Sequence, residues 1–144
     1  MTDTPARRIA ALFESLGPAD LDRLVAFYTD DARFRDPFND MRGIKAIRAV
    51  FAHMFATLDE PRFTVLDIVE TQDAAFLTWD MSFRRRGDAA PWRIHGGTHL
   101  RFAPDGRIAL HRDYWDAAQE LYEKLPLLGA LLRWLRRRLA TPAH

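Results

Sequence analysis

Residues 74–86 read AAFLTWDMSFRRR and residues 92–103 read WRIHGGTHLRFA, and the alternation inside these two stretches decides the fold class. In the first, Ala75, Leu77, Trp79, Met81 and Phe83 alternate with Thr78, Asp80, Ser82 and Arg84, the period of two that sends successive side chains to opposite faces of a strand. In the second, Trp92, Ile94, Gly96, Thr98, Leu100 and Phe102 form the inward set, so His95 and His99 point to the outer face. Residues 62–70 and 107–115 flank them with the same period. The breaks at 72–73, 87–91 and 104–106 are short and carry turn residues, which predicts consecutive antiparallel hairpins.

On either side of these strands the apolar spacing is helical. Thr4 and Pro5 suit a cap and first turn, and Ile9, Leu12, Phe13 and Leu16 line one face until Gly17 and Pro18. A second helix is predicted from Asp20, with Leu21, Leu24, Val25 and Tyr28 on one side and its end at 29–31. A short extended piece at 32–38 and a loop at 39–43 follow. A third helix presents Ile44, Ile47, Phe51, Met54, Phe55 and Leu58 in one stripe, ending at 59–61. From Asp116 the pattern is helical again, interrupted at Pro126 and resumed through 127–139. The prediction is one α+β domain over residues 1–144: a curved antiparallel sheet with helices on one face, and a C-terminal helical extension over 117–140.

Composition narrows the function. The chain has 144 residues, 48% hydrophobic and 28% charged, enough for one core. Twenty-one Lys and Arg oppose twenty Asp and Glu, and a net charge of +1 argues against nucleic acid as a partner. There is no cysteine, hence no disulfide, thiolate metal site or cysteine nucleophile. Residues 1–8 are polar, without the apolar run of a secretory signal, and no stretch approaches the ~20 uncharged apolar residues of a membrane span; a cytoplasmic location is expected.

The stretch DLDRLVAFYTDDARFRDPF at 20–38, followed by GIKAIR at 43–48, resembles the nuclear-transport-factor-2-like superfamily, closest to its ketosteroid isomerase and SnoaL-like polyketide cyclase branches. The resemblance covers about residues 5 to 116 and implies a cone-shaped domain, often dimeric, whose helices close a pocket over the concave face of the sheet. Asp36 falls at the position of the isomerases' proton-shuttling aspartate, and Pro37 would hold its backbone extended. The competing reading is an Asp-Pro that merely ends a strand at the surface. The positions that align with the isomerases' tyrosine and protonated aspartic acid are Leu12 and Thr98, so their oxyanion hole is absent and a true steroid isomerase is disfavoured.

On the last strand His111, Asp113 and Trp115 share a face. Asp113 resembles the acid/base residue of the cyclase branch, and His111 could orient it or share its proton. Periodicity alone sends Ile108, Leu110 and Tyr114 to the core and leaves His111 and Asp113 in solvent, whereas the resemblance implies the reverse. The inward placement is preferred, with Ile108, Leu110 and Tyr114 covered by a second subunit in a homodimer formed through the outer sheet face. Phe13, Phe51, Phe55, Trp79, Met81 and Trp115, on inward faces, together with Thr98, are the expected lining of a pocket for a small hydrophobic molecule.

Other signals carry less. The stretch HGGTH at 95–99 lacks the glutamate of a zinc-protease helix and sits in a strand, where its two imidazoles lie ~13 Å apart. No Gly-x-Ser-x-Gly accompanies it. Arginine runs at 84–86 and 136–138 read as a solvated hairpin end and a basic helix terminus. The leucines of 127–139, with Trp134 and four arginines, would suit an interfacial membrane helix, but packing over the chain's own domain or a partner subunit is the favoured reading. The expected function is acid/base proton transfer, isomerase- or cyclase-like, on a small hydrophobic carbonyl compound, through Asp36, Asp113 and His111 and without cofactor or metal. The alternative is a noncatalytic ligand-binding or assembly domain.

Overall fold

Thr4 Oγ1 accepts a hydrogen bond from the Arg7 N–H at 3.3 Å and Pro5 fills the first turn, so helix α1, Pro5–Ser15, begins where its cap predicts. The computed structural model describes residues 3–85, 90–120 and 125–142; most of the turn expected at 87–91, and residues 121–124 of the C-terminal extension, lie outside them. A single 3₁₀ turn, Pro18–Asp20, leads into α2, Leu21–Val25.

Here the structure corrects the helical reading. Helix α2 closes at the Phe27 N–H to Leu24 C=O bond, and the Phe27 carbonyl then accepts from the Ile108 N–H at 2.7 Å. Pairing to a distant strand thus overrides local helical spacing, and Tyr28 opens strand β1, Tyr28–Arg35, rather than extending a helix. The expected loop at 39–43 holds a short strand, β2, Asp40–Arg42, antiparallel to β1. Gly43, at φ 100°, turns the chain into α3, Ile44–Thr57.

Strands β3, Leu58–Glu70, β4, Ala74–Arg85, β5, Trp92–Phe102, and β6, Ile108–Tyr114, form the expected antiparallel meander. Strand β3 starts four residues earlier than its pattern suggests, because an irregularity between Asp59 and Arg62, with Glu60 at φ 51°, absorbs Pro61. The curved sheet runs β2-β1-β6-β5-β4-β3, antiparallel except where β1 joins β6 in parallel. Helices α1 and α3 close over its inner face, and Ile9, Leu24, Ile47, Leu77, Leu100 and Ile108 make a core with almost no solvent access. Two helices end the described chain: α4, Ala117–Glu120, and α5, Pro126–Leu139.

Strand β6 resolves the conflict over its faces. Phe102 pairs with Ile108 and Arg101 with Leu110, so Ala109 is an extra residue in the β6 ladder. That bulge reverses the alternation, letting both Ile108 and His111 point inward. Ile108 is therefore buried in its own domain, not held for a second subunit, while Tyr114 remains exposed on the outer face.

Candidate functional site

The site is built from β1, β4, β5 and β6 by their period of two. Trp79 and Thr98 project inward from neighbouring strands, and Thr98 is opposite Asp113 in the ladder. Trp79 Nε1 donates to Thr98 Oγ1 at 2.8 Å, and Thr98 Oγ1 donates to Asp113 Oδ1 at 2.6 Å. His111 Nε2 lies 2.8 Å from the same Asp113 oxygen, and its Nδ1 lies 2.7 Å from Tyr28 Oη. Five side chains from four strands thus form one hydrogen-bonded chain.

Its polarity follows from its ends. An indole N–H only donates, which commits the Thr98 hydroxyl proton to Asp113. Tyr28 is fully buried, and burial, with the Asp113 charge adding to it, holds its hydroxyl well above the ordinary tyrosine range. Its retained O–H, donated to His111 Nδ1, leaves the ring N–H on Nε2, directed at Asp113. Asp113 Oδ1 then receives two hydrogen bonds, whereas Oδ2 has no partner among the described residues. Phe13, Tyr28, Phe34 and Phe51 surround the imidazole with ring centroids 4.6 to 6.5 Å away.

Above this chain lies a cavity of ≈ 500 Å³. Asp113, Trp115, Phe51, Trp79 and Met81 line it, together with Phe34, Phe63, Met54 and Phe83, and it narrows beside Asp113 to a small recess reached by Phe13, Thr98 and His111. A largely apolar chamber with two carboxylates, Asp113 and Asp36, in its lining suits a small, mostly hydrophobic ligand.

Comparison with known proteins now adds the family. The profile of the SnoaL-like domain matches residues 9–111. The chain belongs to the SnoaL-like domain family. Among solved structures, this SnoaL-like domain is similar to a hypothetical protein with a ketosteroid isomerase-like fold from Catenulispora acidiphila, in complex with trimethylamine. That pair has a TM-score of 0.71 and 19% identity, over 84% of this chain and 92% of that one. It is also similar to an LEH-like epoxide hydrolase of Mycobacterium tuberculosis, at TM-score 0.69 and 20% identity over 91% and 95% of the two chains. A protein described as a SnoaL-like polyketide cyclase from Shewanella denitrificans matches at TM-score 0.67 and 19% identity over 81% and 90%. No curated protein matches. At these identities the likeness establishes the fold.

The expected site residues separate within the SnoaL-like framework. Thr98, His111, Asp113 and Trp79 meet as described, and Phe13, Phe51, Met81 and Trp115 face the cavity or its recess. Phe55 does not: one position further round α3, it faces a separate surface groove with Leu16, Leu58 and Pro61. Asp36 reaches the cavity, but its carboxylate organises its own loop. Asp36 Oδ1 accepts from the N–H groups of Phe38 and Asn39 at 2.8 and 2.7 Å, and Asn39 Nδ2 bonds both carboxylate oxygens at 3.1 Å. This Asx turn forms the tight link between β1 and β2.

Tyr28 is the member of the chain that sequence reasoning missed. The glycine pair also finds its reason. A Cβ at Gly96 would sit 2.8 Å from the Trp79 ring and 2.9 Å from Trp115 Cβ, and one at Gly97 would meet the Phe76 ring at 2.7 Å on the other face. His95 lies on the outer face as expected, bonded to Asp80 at 2.8 Å; that bond, followed by one from Arg93, holds the Asp80 carboxyl below the usual range. Among the described residues, no group of three or more His, Asp or Glu side chains could hold a metal ion.

Proposed function

We propose that this SnoaL-like domain is an enzyme that moves a proton next to a carbonyl in a small hydrophobic compound, with Asp113 as its acid/base group. The observation that carries the reading is the asymmetry at Asp113: two donors hold Oδ1, and the unpartnered Oδ2 belongs to a carboxylate that lines the cavity. A C–H proton of the substrate passes to Oδ2 and returns to another atom of the same compound. Thr98 and His111 position the carboxylate and stabilise its charge before it takes the proton and again once the proton has been returned. The chain beyond His111 ends at fully buried Tyr28, so it orients the imidazole and offers no exit for a proton. Trp115 and His53, both in the lining, carry N–H groups of the kind that would hold a substrate carbonyl oxygen. Asp36 is a second carboxylate at the cavity, with its loop hydrogen bonds retained.

The occupied Asp36 carboxylate favours one other reading, a binding domain with no chemistry, because a mechanism needing two free carboxylates has only Asp113. A thermal-shift screen of wild type and Asp113→Asn against small hydrophobic carbonyl compounds, including steroids and polyketide mimics, separates the two. The expected result is a ligand that stabilises both proteins and is turned over at least about 100-fold more slowly by the variant. Equal turnover by both proteins removes Asp113 from the mechanism. Binding with no turnover by wild type supports the noncatalytic domain. The exposed Phe76 and Tyr114, whose ring centroids are 6.4 Å apart on the outer face, support the expected homodimer, which a sedimentation mass would check.

A further inference from the structure

Helix α5 turns its greasy side away from the protein. Leu127, Leu131, Trp134 and Leu135, with Leu128 and Leu139, are all exposed, Leu127 at 89% and Leu131 at 52%. At about 100° per residue these six cover about 140° of the helix circumference. The opposite side carries Gly129, which is buried, and Leu132 and Arg133, which are half-buried, so the helix docks through its small residue and presents the leucine and tryptophan stripe outward. Of the two expected covers for these leucines, the chain's own domain or a partner subunit, this corrects the first.

The polar residues of the helix point to what covers the stripe. Four arginines, Arg133, Arg136, Arg137 and Arg138, and no acidic residue lie in Pro126–Leu139, in a chain whose net charge is only +1, so the remainder of the molecule is net acidic. A second copy seated on the stripe would bring two sets of arginines together, whereas a surface of anionic phosphates would be attracted to them. Trp134, with the Arg138 guanidinium 5.6 Å from its ring centroid, is the residue type that settles at the headgroup level. Fourteen residues make a helix about 21 Å long, short of a bilayer core. Among the described residues no helix is long and apolar enough to cross a membrane.

We propose that α5 is a membrane-surface anchor that lies in the plane of an anionic bilayer, its Leu127, Leu131, Trp134 and Leu135 among the acyl-chain ends of the headgroups and its arginines on lipid phosphates. The pocket would then work beside a lipid surface, where hydrophobic compounds concentrate.

The test is co-sedimentation of the full chain with vesicles of phosphatidylcholine containing about one third phosphatidylglycerol, beside vesicles of phosphatidylcholine alone. Wild type should pellet with the anionic vesicles and far less with the neutral ones. Arg136→Gln combined with Arg137→Gln should weaken binding roughly 30-fold. Leu131→Glu combined with Leu135→Glu should abolish it, with unchanged thermal melting because both side chains are exposed. Wild type remaining in the supernatant with anionic vesicles overturns the proposal, and so does vesicle binding that survives the Leu-to-Glu pair. A dimer that dissociates in the Leu-to-Glu pair, in a protein that ignores both vesicles, assigns the stripe to a second copy instead.

Discussion

Replacing Thr98 by valine removes one oxygen and nearly nothing else, yet that oxygen accepts from Trp79 and donates to Asp113 at 2.8 and 2.6 Å. Both hydrogen bonds vanish together. The buried indole N–H is left without a partner, which costs about 1–3 kcal/mol, and Asp113 loses a charge-assisted bond worth about 1.5–3 kcal/mol. Valine keeps the volume, so no cavity adds to the loss, and a total of roughly 3–5 kcal/mol is expected. Thr98→Ser is the control: it keeps the hydroxyl and loses one buried methyl group, about 1 kcal/mol. For a domain of this size, where about 1 kcal/mol moves the melting temperature by roughly 3 °C, the valine variant should melt some 10–15 °C below wild type and the serine variant about 3 °C below. Urea unfolding followed by circular dichroism would give the same ordering as free energies. If valine and serine destabilise the protein equally, the hydrogen-bonded chain is not what holds these strands in register at the site, and the account of Asp113 as a pre-positioned carboxylate fails with it.

Two further outcomes follow from the same geometry. Tyr28 has a folded-state pKa above its unfolded value of about 10, so its contribution is fully present below pH 10 and is lost as pH rises from there through the folded value, by up to about 1.4 kcal/mol per pH unit. Tyr28→Phe should cost about 1–2 kcal/mol at neutral pH and should lose stability less steeply than wild type above pH 10; parallel alkaline unfolding curves would count against the buried phenol. Gly96→Ala should destabilise by about 1–3 kcal/mol, since two indole side chains block the new methyl group, and a variant within about 0.5 kcal/mol of wild type would mean that Trp79 and Trp115 can yield.

The parts of the fold that read correctly from sequence are those where local pattern and tertiary packing agree. Strands β4 and β5 show an uninterrupted period of two, and α1 carries its own cap. The misreadings arise where they disagree. Tyr28 satisfies the spacing of a helix face, and only the ladder with β6, eighty residues away in the chain, makes it the start of a strand. For the same reason it escaped notice as a partner of His111. Asp36 was the right residue type near the right cavity, but Asn39 three positions on was the signal of an Asx turn that engages its oxygens. Phe55 belonged to a stripe broader than one face: Ile47 and Phe51 enter the core and Met54 the cavity, while Phe55 passes to the far side of α3. Asp113, His111 and Thr98 were found through family resemblance, since nothing in β6 itself announces which way it faces.

The extra residue at Ala109 therefore has an effect out of scale with its chemistry. Side-chain direction along a strand has two settings, and if Ala109 took a regular place in the ladder instead of bulging out of it, everything downstream of Ile108 would be switched to the other setting. The polar residues that follow would keep their identities and change sides, exchanging an apolar chamber for open water. A related chain with the same residues and no bulge at this spot would possess the ingredients of the site without the site itself. In this molecule the parity of a single strand decides whether Asp113 lines the cavity or the outer surface.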